Sequence, residues 1–344
     1  MDAHPHVTLS DVARAAEVSL ATASRALNGT TKVRADLRER VLAAARKLAY
    51  APNAHAQALA GGTHRTVGVV CHDVSDPYFA AIARGVMRVA DDKGFLVMLA
   101  STFRDPQKEI AYVSMLRAQR ASAILLVGSG FEDRAWSKAL TEELEPYQRG
   151  GGHVAVVSRH RNVRADSVQP ENKRGAEQLA RTLLDLGHRR FTVLTGPRKL
   201  TTVVDRLTGF RRALAEAGVE LSEDDIFEST FTRDGGYTAM RRALDRGLKS
   251  TCVFAVTDVM AIGALTALRE AGVNVPDDVS LAGFDDIPVV RDLTPSLTTV
   301  ALPLEELGEK AMELALRGEK SARSRVVRVP AEVVVRDSTK EVRV

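Results

Sequence analysis

The chain has 344 residues, 45% of them apolar, which is enough for two or three domains with sizeable cores. No run of 18 apolar residues occurs, so no membrane span is expected. Lys and Arg total 48 against 44 Asp and Glu; residues 1–65 hold nine and five of these, so the net +4 is formally all at the front, where a polyanion would bind.

MDAHPHVTLSDV has no charged segment leading into an apolar one, so secretion is not expected and the chain reads as cytoplasmic. Cys71 and Cys252 sit far apart inside apolar runs and read as buried hydrophobes of a reducing compartment. His4 and His6 are too isolated to count as a metal site. No metal or cofactor is expected.

Thr8-Leu9-Ser10-Asp11 has the form of a capping box. A helix follows to about Ala16, with Val12, Ala13 and Ala16 facing inward. Glu17-Val18-Ser19 makes a three-residue turn, Val18 pointing in. Ser19 can cap a second helix from Leu20 to about Leu27, which Asn28-Gly29 stops. A third helix, about Ala35 to Ala49, carries Leu37, Val41, Leu42, Ala45 and Leu48 at three- and four-residue spacing and closes a three-helix core. Two short helices joined so tightly form a helix-turn-helix. Leu20 and Ala21 lie at the end of the second helix that enters a major groove, and Thr22, Ser24 and Arg25 follow. Arg25 can reach a guanine edge or a phosphate, and Leu20 a thymine methyl. A small helical bundle that binds protein is the competing reading.

VTLSDVARAAEVSLATASRALNG followed by YAPNAHAQALAGG resembles the bacterial lactose/galactose repressor (LacI/GalR) family. Ala23 stands where that family usually has valine. By this resemblance Thr8, Ser19 and Asn28 join the DNA-contacting set. Pro52 breaks the third helix, and Asn53 to Ala60 is too short to be helical alone in water. The resemblance implies a hinge helix here, ordered when two subunits bind operator DNA. Leu59 would then be the wedge in the minor groove, with Asn53, Ala56 and His55 beside it. A flexible linker, and a solvated His55, are the plain alternatives.

From Thr66 onward short apolar runs alternate with helical patterns: TVGVVC, FLVMLAS, AILLVGS and VAVVS, then FTVLTG, Ile226 to Ser229, CVFAVT and VSLAGFDD. This order implies βαβ units and parallel sheets in two similar Rossmann-like lobes. A ligand would bind between them, near the carboxyl ends of strands. SDPYF, LGHRRFTVLTGP, DRLTGFRRALAEAG and TPSLTTVALPLEELG extend the family resemblance over the whole chain. The expected fold is an all-α helix-turn-helix domain (1–52), a hinge helix and linker (53–64), and an α/β periplasmic-binding-protein-like effector and dimerisation domain (65–344). Its N-lobe is expected at about 65–163 plus 296–325, its C-lobe at about 164–295 plus 326–340.

The resemblance assigns effector contacts residue by residue. Arg206 and Asp285 would bind hydroxyls or carboxylates, Phe231 would stack on a ring, and Tyr78 and Phe79 would line the other lobe. Arg206 and Asp285 can instead pair with each other across the cleft, and Phe231 can be core. Ser158-Arg159 and Thr257 replace residues common in sugar-binding members. If Arg159 and Arg206 both face the cleft, a sugar acid becomes an attractive ligand. Arg206→Ala is then expected to abolish the effector response with the fold intact.

An enzyme on a Rossmann-like scaffold is the rival class. Gly128-Ser129-Gly130 follows a strand, but no G-x-G-x-x-G occurs there, and there is no P-loop or nucleophile elbow. A transport protein would have no use for a helix-turn-helix. The reading is a regulator, expected to act as a repressor, that binds a pseudo-palindromic operator in double-stranded DNA as a homodimer under small-molecule control. No heptad tail follows VPAEVVVRDST, so a tetramerising helix is not expected.

Overall fold

The structure is a computed structural model and describes residues 7–28, 33–50, 65–317 and 324–342. The chain divides into two compact units, residues 1–64 and 65–344. Asn53, His55, Ala56 and Leu59, and the side chain of Asn28, lie outside the described residues.

The first unit contains α1 (Leu9–Ala15), α2 (Leu20–Asn28) and α3 (Ala35–Lys47). Its core is built from small side chains: Val12, Ala13 and Ala16 meet Ala23 and Ala26 of α2 and Val41, Ala44 and Ala45 of α3. Small residues let three short helices approach closely. Val18 and Leu48 pack against this core, whereas Leu37 and Leu42 are only half-buried, so the inner stripe of α3 runs through Ala44 instead.

The second unit has two parallel sheets. The first joins β1 (Thr66–Cys71), β2 (Leu96–Ser101), β3 (Ala123–Val127), β4 (His153–Val157), β5 (Asp166–Pro170) and β11 (Val326–Val329) in the order β11-β5-β4-β3-β1-β2. β3 is buried along its whole length, as the continuous apolar run AILLV requires of a strand covered on both faces. The helices α4 (Pro77–Asp92), α5 (Pro106–Ala118) and α6 (Arg134–Arg149) connect β1 to β4. The second sheet has the order β7-β6-β8-β9: β6 (Phe191–Thr195), β7 (Ile226–Glu228), β8 (Cys252–Ala255) and β9 (Ser280–Ala282). With it run α7 (Asn172–Asp185), α8 (Thr201–Glu216), α9 (Arg233–Asp245) and α10 (Asp258–Glu270).

The lobe boundaries differ from those expected. β5 and β11 are not C-lobe elements; they pair in parallel at the outer side of the N-lobe sheet, Ser167 opposite Val326 and Pro170 opposite Val329. Asp166 fixes this register by accepting from Arg325 Nε (2.9 Å) and Nη2 (2.7 Å). DSVQP is too polar to read as a strand, which hid it in the sequence. The chain leaves the N-lobe at Pro170, returns through β10 (Thr299–Ala301) and α11 (Leu304–Leu316), and crosses again between β11 and β12 (Glu332–Val334). β10 and β12 pair antiparallel. α11 rests on α4 at glycine contacts: a Cβ at Gly85 would stand 2.0 Å from the Glu305 carbonyl oxygen, and one at Gly308 2.0 Å from that of Ile82.

Candidate functional site

The first unit presents a helix-turn-helix. Thr8 caps α1: its hydroxyl accepts from the Asp11 N–H (3.3 Å), and Asp11 accepts from the Thr8 N–H (3.0 Å). The Thr8 contacts hold the Asp11 carboxyl below its ordinary pKa. Glu17 takes a left-handed φ of 52°, which turns the chain between the helices. Arg40 of α3 secures the turn by donating to the Ala16 carbonyl (2.6 Å), one of the acceptors a helix end leaves open. Ser19 Oγ accepts from the Thr22 N–H (3.1 Å) and hydrogen-bonds the Thr22 hydroxyl (2.8 Å). Ala23 and Ala26 are buried beneath α2 while Leu20, Ala21 and Arg25 are exposed, and Ser24 is half-buried. Ser19 and Thr22 therefore organise the helix start. Leu20, Ala21 and Arg25 are its outward face.

In the second unit a small cavity opens between the lobes. The N-lobe contributes His72, Asp76, Tyr78, Phe79, Gly128 and Ser129. The C-lobe contributes Thr202, Arg206, Phe231, Thr257 and Asp285. These groups stand at strand carboxyl ends or on the helix starts that follow, where open α/β sheets hold ligands. Aromatic faces meet hydroxyl, carboxylate and guanidinium groups here, a lining suited to a small hydroxylated molecule.

Arg206 is 1% exposed and thoroughly engaged. Its Nε donates to Asn172 Oδ1 (2.9 Å), Nη1 to the Val256 carbonyl (2.6 Å) and Nη2 to Asp285 Oδ1 (2.6 Å). The guanidinium also lies 3.8 Å from the ring centre of Phe284. The pairing with Asp285 is made within the C-lobe, not across the cleft, because α8 follows β6 and Asp285 follows β9, both strands of the C-lobe sheet. Three of the five arginine donors are thus committed to tying α7, β8 and the β9 loop together. Burial pushes the Asp285 carboxyl up, and Arg206 opposes that shift.

Arg159 does not face the cavity. It donates to Asp205 of α8 (2.8 Å) and to Glu132 (3.3 Å), away from the ligand space. Ser158 is buried with φ 83° and does not line the cavity. Thr257 reaches the lining and also caps α10, its hydroxyl accepting from the Met260 N–H (3.4 Å). Asp258 next to it is wholly buried, accepting from the Thr299 hydroxyl (2.6 Å) and the Ile287 N–H (3.0 Å), a structural role.

His72, Asp76, Ser129 and Thr202 were not singled out from sequence, although their position just past strand ends was a usable signal. His72 Nε2 faces the Ser129 carbonyl (3.1 Å), which can only accept, so Nε2 carries the proton and Nδ1 accepts from the Thr102 hydroxyl (3.3 Å). Burial, and then Arg104, push His72 down to about 3. Gly128 has φ 137°, and a Cβ there would lie 2.6 Å from the His72 ring. Among the described residues no group of three or more His, Cys, Asp or Glu can hold a metal ion, and no helix is long and apolar enough to cross a membrane.

Residues 8–53 match the family described as bacterial regulatory proteins, lacI family, and residues 180–339 match the periplasmic binding protein-like domain. Over 96% of this chain and 98% of the relative, the sequence is 35% identical to the HTH-type transcriptional regulator DegA of Bacillus subtilis (strain 168). The chain belongs to the lacI family of bacterial regulatory proteins. It is a DNA-binding lacI-family transcriptional regulator with an effector-binding domain, and the relatives it matches are regulators rather than enzymes. Among solved structures, the lac repressor dimer bound to operator and the anti-inducer ONPF aligns with TM-score 0.84 at 26% identity, covering 97% of this chain and 99% of that one. The complex of the transcriptional regulator CelR with cellobiose aligns with TM-score 0.70 at 31% identity, covering 96% of this chain and 99% of that one.

Proposed function

We propose that this lacI-family regulator is a cytoplasmic repressor that binds a pseudo-palindromic operator as a homodimer and answers to a sugar or sugar acid held between its lobes. The observation that carries the reading is the division of α2: Ala23 and Ala26 are spent on the core, and Leu20, Ala21 and Arg25 face outward at the groove-entering end. A single such unit reads few base pairs, so useful affinity requires two. The edge strand β2 supports a second copy, since Leu96 is 68% exposed there and Met115 of the adjoining α5 is 63% exposed. The aromatic and hydroxyl lining of the cavity, and the cellobiose in the CelR complex, support a sugar-like effector.

Coupling follows from linkage: an effector that prefers one arrangement of the lobes changes DNA affinity, and DNA changes effector affinity by the same factor. The hinge segment containing Asn53, His55, Ala56 and Leu59 is the proposed relay, with Leu59 as the groove wedge. The test is selection of genomic duplex fragments on the purified full chain, followed by gel shift and sedimentation. A dimer holding one selected sequence, released by a sugar-type metabolite, is the expected result. A strictly monomeric chain that retains no fragment defeats the proposal.

A further inference from the structure

Arg104 lies three residues past the end of β2. It and Phe103 both have left-handed φ, 61° and 52°, unusual for two successive side-chain-bearing residues. The bend is held by the Phe103 N–H donating to the His72 carbonyl (2.6 Å) and the Arg104 N–H donating to the Thr102 hydroxyl (3.3 Å). Phe103 is thereby left exposed, while the Arg104 side chain is only 14% exposed. Its guanidinium carbon sits 5.2 Å from the ring centre of Phe231 on the C-lobe and 5.9 Å from that of Phe79 on the N-lobe. Both rings line the interlobe cavity, and Arg104 packs against them from outside that lining.

The Nε and Nη2 of Arg104 are buried and have no hydrogen-bond partner among the described residues. Buried donors left unmatched are costly, and most so on a charged group. Asp76 Oδ2 is 3.9 Å from Nη2, outside hydrogen-bond reach, and Asp76 Oδ1 is occupied as the cap of α4, accepting from the Tyr78 N–H (3.0 Å). The other two cationic candidates are spent, Arg206 on Asp285 and Arg159 on Asp205 and Glu132. Nε and Nη2 form one edge of the guanidinium fork, two parallel N–H groups spaced for the two oxygens of a carboxylate or phosphate.

We propose that Arg104 is the anion-recognition residue of the effector cleft, and that the effector is a hydroxylated small molecule whose carboxylate or phosphate seats on the Nε and Nη2 edge between Phe79 and Phe231. The inference rests on reading the cavity as the effector site. It replaces Arg159 with Arg104 as the source of anion preference.

The experiment is calorimetric and thermal-shift titration of the full-length chain with matched probes at constant ionic strength. The probes are glucose, gluconate and glucose 6-phosphate; galactose, galacturonate and galactose 1-phosphate; and ribose, ribonate and ribose 5-phosphate. At least one anionic member should bind ten- to hundredfold more tightly than its neutral parent. The carboxylate and phosphate arms tell which group is taken. Arg104→Met should erase that preference while leaving affinity for the neutral parent within about threefold, and Arg104→Lys, which keeps the charge and loses the fork, should fall between. If Arg104→Met unfolds, Arg104→Lys decides alone. Neutral parents that bind as well as their anions, a panel with no anion bound, or variants with undiminished anion affinity would each overturn the inference. A gel shift on the selected operator separates the two readings. Operator released by a neutral sugar keeps the regulator and removes the anion site. Absence of any operator removes the regulator whatever the titrations show.

Discussion

Arg159 at the end of β4 donates through Nη2 to Asp205 of α8 at 2.8 Å, so an ion pair joins the two lobes outside the ligand cavity. Its partners are about a quarter exposed, and solvent screens it accordingly. A double-mutant cycle with Arg159→Ala and Asp205→Ala, read by urea unfolding, should give a coupling of about 0.2–1 kcal/mol that shrinks in high salt. A coupling near zero at low salt would mean that the pair does not hold the lobes together.

Arg206 is a different case, because its partner is buried with it. Replacing Arg206 by Ala leaves the Asp285 carboxylate without its counter-charge and strips Asn172 and the Val256 carbonyl of donors. The expected loss is about 3–5 kcal/mol of unfolding free energy. Arg206→Met with Asp285→Leu should cost markedly less, since it removes both charges. This corrects the expectation that Arg206→Ala spares the fold. A single mutant with wild-type urea midpoint would restore the purely ligand-binding role.

The pH dependence has two limbs of opposite sign. Burial and Arg104 lower His72 to about 3, so the unfolded chain takes up this proton first as pH falls. Its contribution is complete above about pH 6.5 and is lost progressively below that. Burial raises Glu109 to about 8, so the unfolded chain ionises first as pH rises. Its contribution is complete below about pH 4.5 and is lost as pH approaches 8. Each limb is worth on the order of a few kcal/mol. Glu109→Gln should therefore raise the urea midpoint near pH 8 far more than near pH 4.5. An equal change at both values would refute the assignment.

On the DNA side, Arg25 is exposed and makes no part of the core, so Arg25→Ala should leave melting unchanged and weaken operator binding by about 1–3 kcal/mol. Ser19→Ala acts through the cap of α2 instead, costing about 1 kcal/mol of stability. Anisotropy titrations over a range of salt separate the two, because loss of a phosphate contact also lowers the salt slope. If Arg25→Ala binds like wild type, α2 does not present this residue to DNA.

Much of the architecture was readable because it rests on local signals. The capping box at Thr8, the Ser19 cap and the run AILLV each announce their element within a few residues. Tyr78, Phe79, Arg206, Phe231, Thr257 and Asp285 were named from motifs and all reach the cavity. The polar strand β5 and the roles of Arg159 and Arg104 were not readable, since each depends on partners far away in the chain.

The order of apolar runs, helix caps and breakers thus determined by itself that this chain forms a helix-turn-helix ahead of two βαβ lobes, because periodicity and capping are properties of neighbours in sequence. Which arginine keeps its donors for a ligand was decided only in three dimensions. Arg206 met Asp285, Arg159 met Asp205, and Arg104 was bent inward beside two phenyl rings, its Nε and Nη2 without a hydrogen-bond partner among the described residues and the Asp76 carboxylate 3.9 Å off. A guanidinium carries the same charge in all three places; what differs is the acceptor that the fold brings to it.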